Sequence, residues 1–172
     1  MKRLIVFLQA LVFLSSAFST DLSKVKFEYL TVDEGLSQGI IEDIMQDRQG
    51  YIWIATRDGL NRFDGRKFVT LRNDRNDPQS LASNWILSLA EDKEGNIWIG
   101  SDGLNVYDPV MNRVTRFPVN REDPNAYHGG RIYSITVDID STVWLSTNSG
   151  LVNNIKKKDI FRTYTHDPNN PG

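Results

Sequence analysis

Alternating apolar residues, cut at regular intervals by turn signals, run through most of this chain and predict short β-strands. The pattern repeats. Asp47-Arg48-Gln49-Gly50-Tyr51-Ile52-Trp53-Ile54 returns as Asp92-Lys93-Glu94-Gly95-Asn96-Ile97-Trp98-Ile99. It returns again, worn, as Asp138-Ile139-Asp140-Ser141-Thr142-Val143-Trp144-Leu145, so that the three tryptophans lie 45 and 46 residues apart. Each unit resolves into four strands. The first spans Ile41 to Gln46, Ile86 to Glu91 and Ile132 to Val137, and the second carries the tryptophan between β-branched or aliphatic neighbours, which suit a pleated, half-buried surface. A turn ending in Gly59, Gly103 or Gly150 leads to a leucine and the third strand, and the fourth holds Phe68 and Leu71, Val114 and Phe117, or Phe161 and Tyr164.

A fixed period of this size, filled with four short strands, marks the blade of a β-propeller. The expected fold is all-β: an incomplete propeller of three four-stranded antiparallel blades at residues 40–72, 85–118 and 131–165. Residues 27–31 repeat the apolar spacing of a fourth strand and are read as the closing strand of a last blade that the chain lacks. Residues 166–172 are read as the start of a linker to an absent fourth blade. Three blades do not close a ring, so the chain is expected to open a larger protein and, alone, to leave apolar faces that promote association.

Gly50 and Gly95 occupy a hairpin that needs positive φ, which glycine adopts without steric cost. Ser141 takes that place in the third unit and predicts a less well-formed turn. Asp47, Asp92 and Asp138 begin the same turn. They could form a metal or acid site, but their recurrence in register favours a side chain that bonds nearby backbone N–H groups. Trp53, Trp98 and Trp144 could stack on sugars; their apolar flanks favour packing between adjacent blades.

Composition narrows the chemistry. A formal charge of −2 argues against a general nucleic-acid binder, and the lack of cysteine excludes disulfides, thiolate metal sites and cysteine nucleophiles. The first residues differ in kind. Lys2 and Arg3 precede an apolar run from Leu4 to Leu14, followed by small residues up to Ser19. Residues 1–19 therefore read as a secretory signal, the run being too short for the roughly 20 residues of a membrane span. An uncleaved anchor is the alternative; either way the rest is exported.

Asp-x-x-Gly-x-Ile-Trp-Ile followed by Asp-Gly-Leu-Asn-x-(Phe/Tyr)-Asp, best seen in Asp47–Asp64 and Asp92–Asp108, resembles the two-component regulator propeller repeat. The opening Phe27-Glu28-Tyr29-Leu30-Thr31-Val32-Asp33-Glu34-Gly35-Leu36-Ser37 is similar to the start of the exported sensor region of hybrid two-component systems. The resemblance covers about residues 27–168. It implies a periplasmic location, further blades, downstream sensor and histidine kinase modules in a membrane-anchored parent, and oligosaccharide sensing; a second copy of the chain, as a homodimer, is a further candidate partner. The third unit departs from the pattern, with Val152-Asn153-Asn154 where the others read Asn-x-(Phe/Tyr).

Propeller ligands meet loops that converge at one end of the channel. Structural residues are copied between repeats, so residues that bind should vary. Ile40, Trp85 and Arg131 hold one repeat position and differ in type. Trp85 is a candidate to stack on a sugar ring and Arg131 to bond a uronate or sulfate. Arg57, Asp102 and Asn148, on the short turns of the same end, complete the candidate ligand set; the bland alternative is ordinary surface variation. No catalytic set, metal site or cofactor is expected, and His128 and His166 are read as loop residues. A propeller enzyme of sialidase or lyase type, or an interaction scaffold without signalling, is the competing expectation. The sialidase Asp box, Asp-x-Gly-x-x-Trp, is one residue shorter than the spacing here.

Overall fold

The computed structural model describes residues 26–155 and 160–165. Residues 1–19, expected as a signal segment, residues 166–172, expected as the start of a linker, and with them His166 lie outside the described residues. Within them the chain forms twelve strands and no helix, and no helix long and apolar enough to cross a membrane is present among the described residues. Strands β1 (Ile41–Gln46), β2 (Ile52–Thr56), β3 (Gly59–Phe63) and β4 (Phe68–Leu71) form the first blade. Strands β5 (Ser88–Glu91), β6 (Ile97–Gly100), β7 (Leu104–Asp108) and β8 (Arg113–Phe117) form the second. Strands β9 (Ile132–Val137), β10 (Val143–Thr147), β11 (Gly150–Ile155) and β12 (Ile160–Tyr164) form the third. Every blade is an antiparallel meander in sequence order. The inner strands β1, β5 and β9 lie side by side, which sets the blades in an arc of propeller type.

The first turn of each of the first two blades is built by its aspartate. Asp47 Oδ1 accepts the N–H groups of Gln49 and Tyr51, and Asp92 Oδ1 those of Glu94 and Asn96. The second carboxylate oxygen does something the sequence reading did not anticipate. It accepts the indole N–H of the blade's own tryptophan, at 2.7 Å from Trp53 and 2.9 Å from Trp98. A buried indole donor is thereby satisfied within its blade. Asp138 makes no such bond to Trp144 among those described; its carboxylate accepts the N–H of Ile139 instead.

Gly50 and Gly95 adopt φ of 91° and 89°. In the third turn the N–H of Thr142, at the position of Tyr51 and Asn96, goes to Asp140 Oδ1 rather than to Asp138, as expected of a less well-formed turn. The backbone closure is kept: Ser141 takes φ of 65° and gives its N–H to Asp138 O at 2.9 Å, as Gly50 does to Asp47 O at 3.0 Å. The turn forms with the same closure, and a non-glycine residue bears the steric cost of left-handed backbone. The second inner strand starts later than expected, at Ser88 rather than Ile86, and Ile86 gives its N–H to Thr56 O of the first blade.

That bond belongs to a repeated staple. Ile86 N–H reaches Thr56 O and Ile132 N–H reaches Ser101 O, both at 2.9 Å, tying the residue that leads into one inner strand to the end of the preceding blade's second strand. The asparagine of Gly-Leu-Asn adds a second tie. Buried Asn61 and Asn105 accept the backbone N–H of Ser37 and Ala82 in the loops that lead into their own blades. Val152 cannot do this in the third blade. There the incoming loop is held by buried Tyr127, whose hydroxyl donates to Gly130 O, and by Phe161 N–H on Asn125 O.

Two apolar cores result, one between each pair of neighbouring blades. Trp53 packs against Tyr107 of the second blade with ring centroids 5.4 Å apart and is 1% exposed. Trp98 borders the second core at 8% exposed. Trp144 departs from the expectation of a residue packed between blades: it is only half-buried, beside Tyr164 on the outward side of the third blade. Position in the arc decides burial. Ile44, Leu89 and Ile135 are equivalent, yet Ile44 is 61% exposed whereas Leu89 and Ile135 are 6% and 8% exposed. The latter two have a blade in front of them. Residues 27–31, expected as a closing strand, pair with nothing among the described residues, and Phe27 and Tyr29 are exposed.

Burial predicts an asymmetric response to truncation. Trp53→Ala should cost about 3–5 kcal/mol, the range for a fully buried large aromatic, while Trp144→Ala costs much less; equal shifts in urea midpoint would contradict this packing. The 172-residue chain should also self-associate through the faces carrying Ile44 and Trp144. Sedimentation velocity is expected to show species above the monomer, with Ile44→Lys reducing them.

Candidate functional site

The loop β4–β5 and the loop β8–β9 share one end of the arc with the turns β2–β3, β6–β7 and β10–β11, because each blade is an antiparallel meander. The staples bring the varied residues of this end together. Trp85 precedes Ile86, so the bond to Thr56 O sets its indole beside Arg57. Arg131 precedes Ile132, so the bond to Ser101 O sets its side chain beside Asp102.

The result is a continuous polar row across the three blades. The Arg57 guanidinium lies over the Trp85 ring at 5.0 Å from its centroid, and the Arg131 guanidinium at 4.7 Å. Arg57 Nε donates to Glu42 Oε1 at 2.6 Å, and the Trp85 indole N–H donates to the same oxygen at 3.2 Å. Arg131 Nε donates to Asp102 Oδ1 at 2.6 Å. Asn148 fixes the backbone of Arg131 from both sides: its Oδ1 accepts Arg131 N–H at 3.0 Å and its N–H donates to Arg131 O at 3.1 Å. Beneath the loop, buried Tyr127 holds Gly130, whose φ of 69° turns the chain toward Arg131. Burial pushes the Tyr127 hydroxyl well above its ordinary pKa, so it remains a donor.

Trp85, Arg131, Arg57, Asp102 and Asn148, singled out on the sequence from five separate segments, therefore stand in one cluster. Glu42 was missed. It lies inside β1, where period-2 patterning marks only an outward polar position; nothing in the sequence says that it meets Arg57 and Trp85. The copied residues Gly59, Gly103 and Gly150 flank the cluster as turn formers. Asp47, Asp92 and Asp138 lie at the other end of the blades. Among the described residues no group of three or more His, Asp or Glu side chains could hold a metal ion. His128 lies in the β8–β9 loop with its ring on Asp123 O.

The row is close to charge-neutral, two guanidiniums facing two carboxylates. Hydrogen bonds from Arg57 first, and then from Trp85, hold the Glu42 carboxyl below its ordinary value of 4.5. The Asp102 carboxylate raises Arg131 above its ordinary value. Both guanidiniums keep free N–H edges toward solvent, which can donate to sugar hydroxyls, carboxylates or sulfates.

Glu42 gives the cluster a pH limit. A depressed carboxyl stabilises the folded arrangement above its unfolded value and loses that contribution as pH falls through the folded value. The Trp85 indole N–H resonance should titrate with a midpoint below the ordinary carboxyl value of 4.5. Glu42→Gln should abolish that transition; an unchanged titration in the variant would break the assignment.

Comparison with known proteins agrees with this architecture. Residues 35–58 and 80–103 match the two component regulator propeller family. A 70-residue stretch, 41% of the chain, is 41% identical to histidine kinase P4 of Formosa agariphila, of which it spans 5%. Among solved structures, the extracellular domain of the putative hybrid two component system BT3049 from B. thetaiotaomicron superposes with a TM-score of 0.74 at 29% identity. That alignment covers 80% of this chain and 20% of that one. The corresponding domain of BT4673 from the same organism shares the fold, with a TM-score of 0.68 at 24% identity over 87% of this chain and 19% of that one. The chain thus spans about a twentieth of the curated relative and a fifth of the solved domains. Two stretches reaching into its first two blades match the two component regulator propeller family, on a three-blade arc similar to part of the extracellular domain of a putative hybrid two component system.

Proposed function

We propose that this chain forms part of an exported, ligand-binding sensor propeller that detects oligosaccharides and signals to a histidine kinase module. Residues 1–19 direct export, so the blades work in the periplasm, and the parent protein is anchored in the inner membrane. Further blades cover the exposed face of Ile44 and the half-buried Trp144, and residues 27–31 pair in a last blade. The protein acts as a non-catalytic receptor, and kinase activity resides in the parent.

The observation that carries this reading is the convergence of Arg57, Trp85, Arg131 and Glu42, residues not copied between blades, with Asp102 of the copied Asp-Gly-Leu-Asn turn, at one end of the arc. Copied residues build the blade; uncopied residues held rigidly at the loop end are what a ligand can select. With both guanidiniums over the Trp85 ring, the ligand meets their N–H edges and the flanking carboxylates rather than a bare indole face. A uronate or sulfate on the sugar bonds Arg131.

Isothermal titration with uronate-bearing, sulfated and neutral oligosaccharides of equal length tests the proposal. Arg131→Ala and Arg57→Ala should each weaken binding by roughly tenfold or more, as charge-assisted hydrogen bonds are worth about 1.5–3 kcal/mol. Binding that ignores both substitutions, or no binding by any member of the panel, would overturn it.

A further inference from the structure

The two interfaces between blades are built differently at the end of the arc opposite the polar row. Between the first and second blades, Tyr107 packs on Trp53, and Arg62 lies over both Tyr51 and Trp53, at 4.8 Å and 5.8 Å from the ring centroids. Strand register places Phe63, Tyr107 and Asn154 at one repeat position, opposite Ile52, Ile97 and Val143. It places Arg62, Val106 and Asn153 at the next, opposite the three tryptophans. Between the second and third blades, the two groups that cover Trp53 are therefore replaced: Tyr107 by Asn154, and Arg62 by Val106. Tyr51 is replaced by Asn96.

These three exchanges remove two rings and a guanidinium from the space over Trp98. A cleft of about 470 Å³ opens there, walled by Trp98 and Phe117 and rimmed by Glu94, Asn96, Arg113 and Asn154, a size ordinary for a small-molecule site. A second observation points the same way. Ser141, 5% exposed and lining the cleft, has its Oγ buried without a hydrogen-bond partner among the described residues. Such an orphan costs free energy unless something bonds it. The Glu94 carboxylate and the Arg113 guanidinium on the rim also form no ion pair or hydrogen bond among the described residues. The Asp92 carboxylate, by contrast, is filled by the N–H groups of Glu94 and Asn96 and by the Trp98 indole.

We infer that the cleft between the second and third blades is a second binding site, for a neutral pyranose whose apolar face lies on the Trp98–Phe117 wall. Hydroxyls of the sugar reach Ser141 Oγ and the amides of Asn96 and Asn154, with Glu94 and Arg113 closing the rim. Two carboxylates against one guanidinium set the local field against anions. The site is independent of the polar row, which lies at the other end of the blades.

The two sites have separate reporters, the indole N–H resonances of Trp98 and Trp85. The full chain labelled with ¹⁵N is titrated with methyl β-D-glucopyranoside, methyl β-D-galactopyranoside and methyl α-D-mannopyranoside. At least one should shift the Trp98 resonance saturably while leaving Trp85 in place, and sodium glucuronate should bind at least tenfold more weakly. Asn154→Tyr, which restores the ring found at the first interface, should abolish the Trp98 shift and raise the melting temperature. Val106→Arg, which restores the guanidinium, is the second plug should the first variant fail to fold. Absence of a saturable Trp98 shift with all three pyranosides, equal binding of glucuronate, or a shift that persists in a folded plugged variant would overturn the proposal. Shifts confined to Trp85 would overturn it too, while leaving the polar row intact.

Discussion

One backbone hydrogen bond, made twice, organises this protein. Ile86 N–H to Thr56 O and Ile132 N–H to Ser101 O join the lead-in to each inner strand to the end of the preceding blade's second strand. A single such bond contributes about 1 kcal/mol net, yet its geometric consequence is large. It fixes where each blade begins relative to its neighbour, and so which side chains face each other across the interface. Leu89 and Ile135 are buried because of that placement; Ile44, at the same position in the first blade, is exposed. The residue before each staple is carried to the loop end, which is how Trp85 comes to lie between Arg57 and Arg131.

Around the staples, copied polar side chains satisfy what the strands leave open. Asp47 and Asp92 each bond two backbone N–H groups and their own indole, so a turn and a core ring are fixed by one carboxylate. Asn61 and Asn105 hold the incoming loops from a buried position. A basic side chain after each aspartate reaches the next blade: Arg48 donates to the carbonyl oxygens of Asp92 and Lys93, and Lys93 to that of Ile139. The third unit has lost the indole bond, the loop-holding asparagine and the basic residue, where Ile139 stands 86% exposed. Its blade still forms, because Tyr127 and Phe161 take over the loop and Ser141 accepts a left-handed backbone. The copied turns set the frame; the two ends of the arc differ in what that frame leaves uncopied.

The repeat was legible because it is local. Period-2 alternation, the Asp-to-Gly turns and the recurrence of Trp53, Trp98 and Trp144 specify strands, turns and four-stranded blades, since each depends on residues only a few places apart. Trp85 and Arg131 could be singled out for a similar reason, since varied positions stand out against copied ones, and Arg57, Asp102 and Asn148 because they lie on the short turns of the same end. Glu42, the indole bonds and the roles of Asn61 and Tyr127 were not legible. Each joins residues by a path through space that no sequence period encodes.

The same division holds for the empty space over Trp98 and the filled space over Trp53. Sequence alone determined that both tryptophans sit in equivalent strands with apolar flanks. Only the tertiary structure decided that Tyr107 packs on one and Asn154 lines a cleft beside the other, because that residue comes from the next blade. The physical reason is that strand formation is governed by neighbours along the chain, whereas burial is governed by the neighbour across the interface.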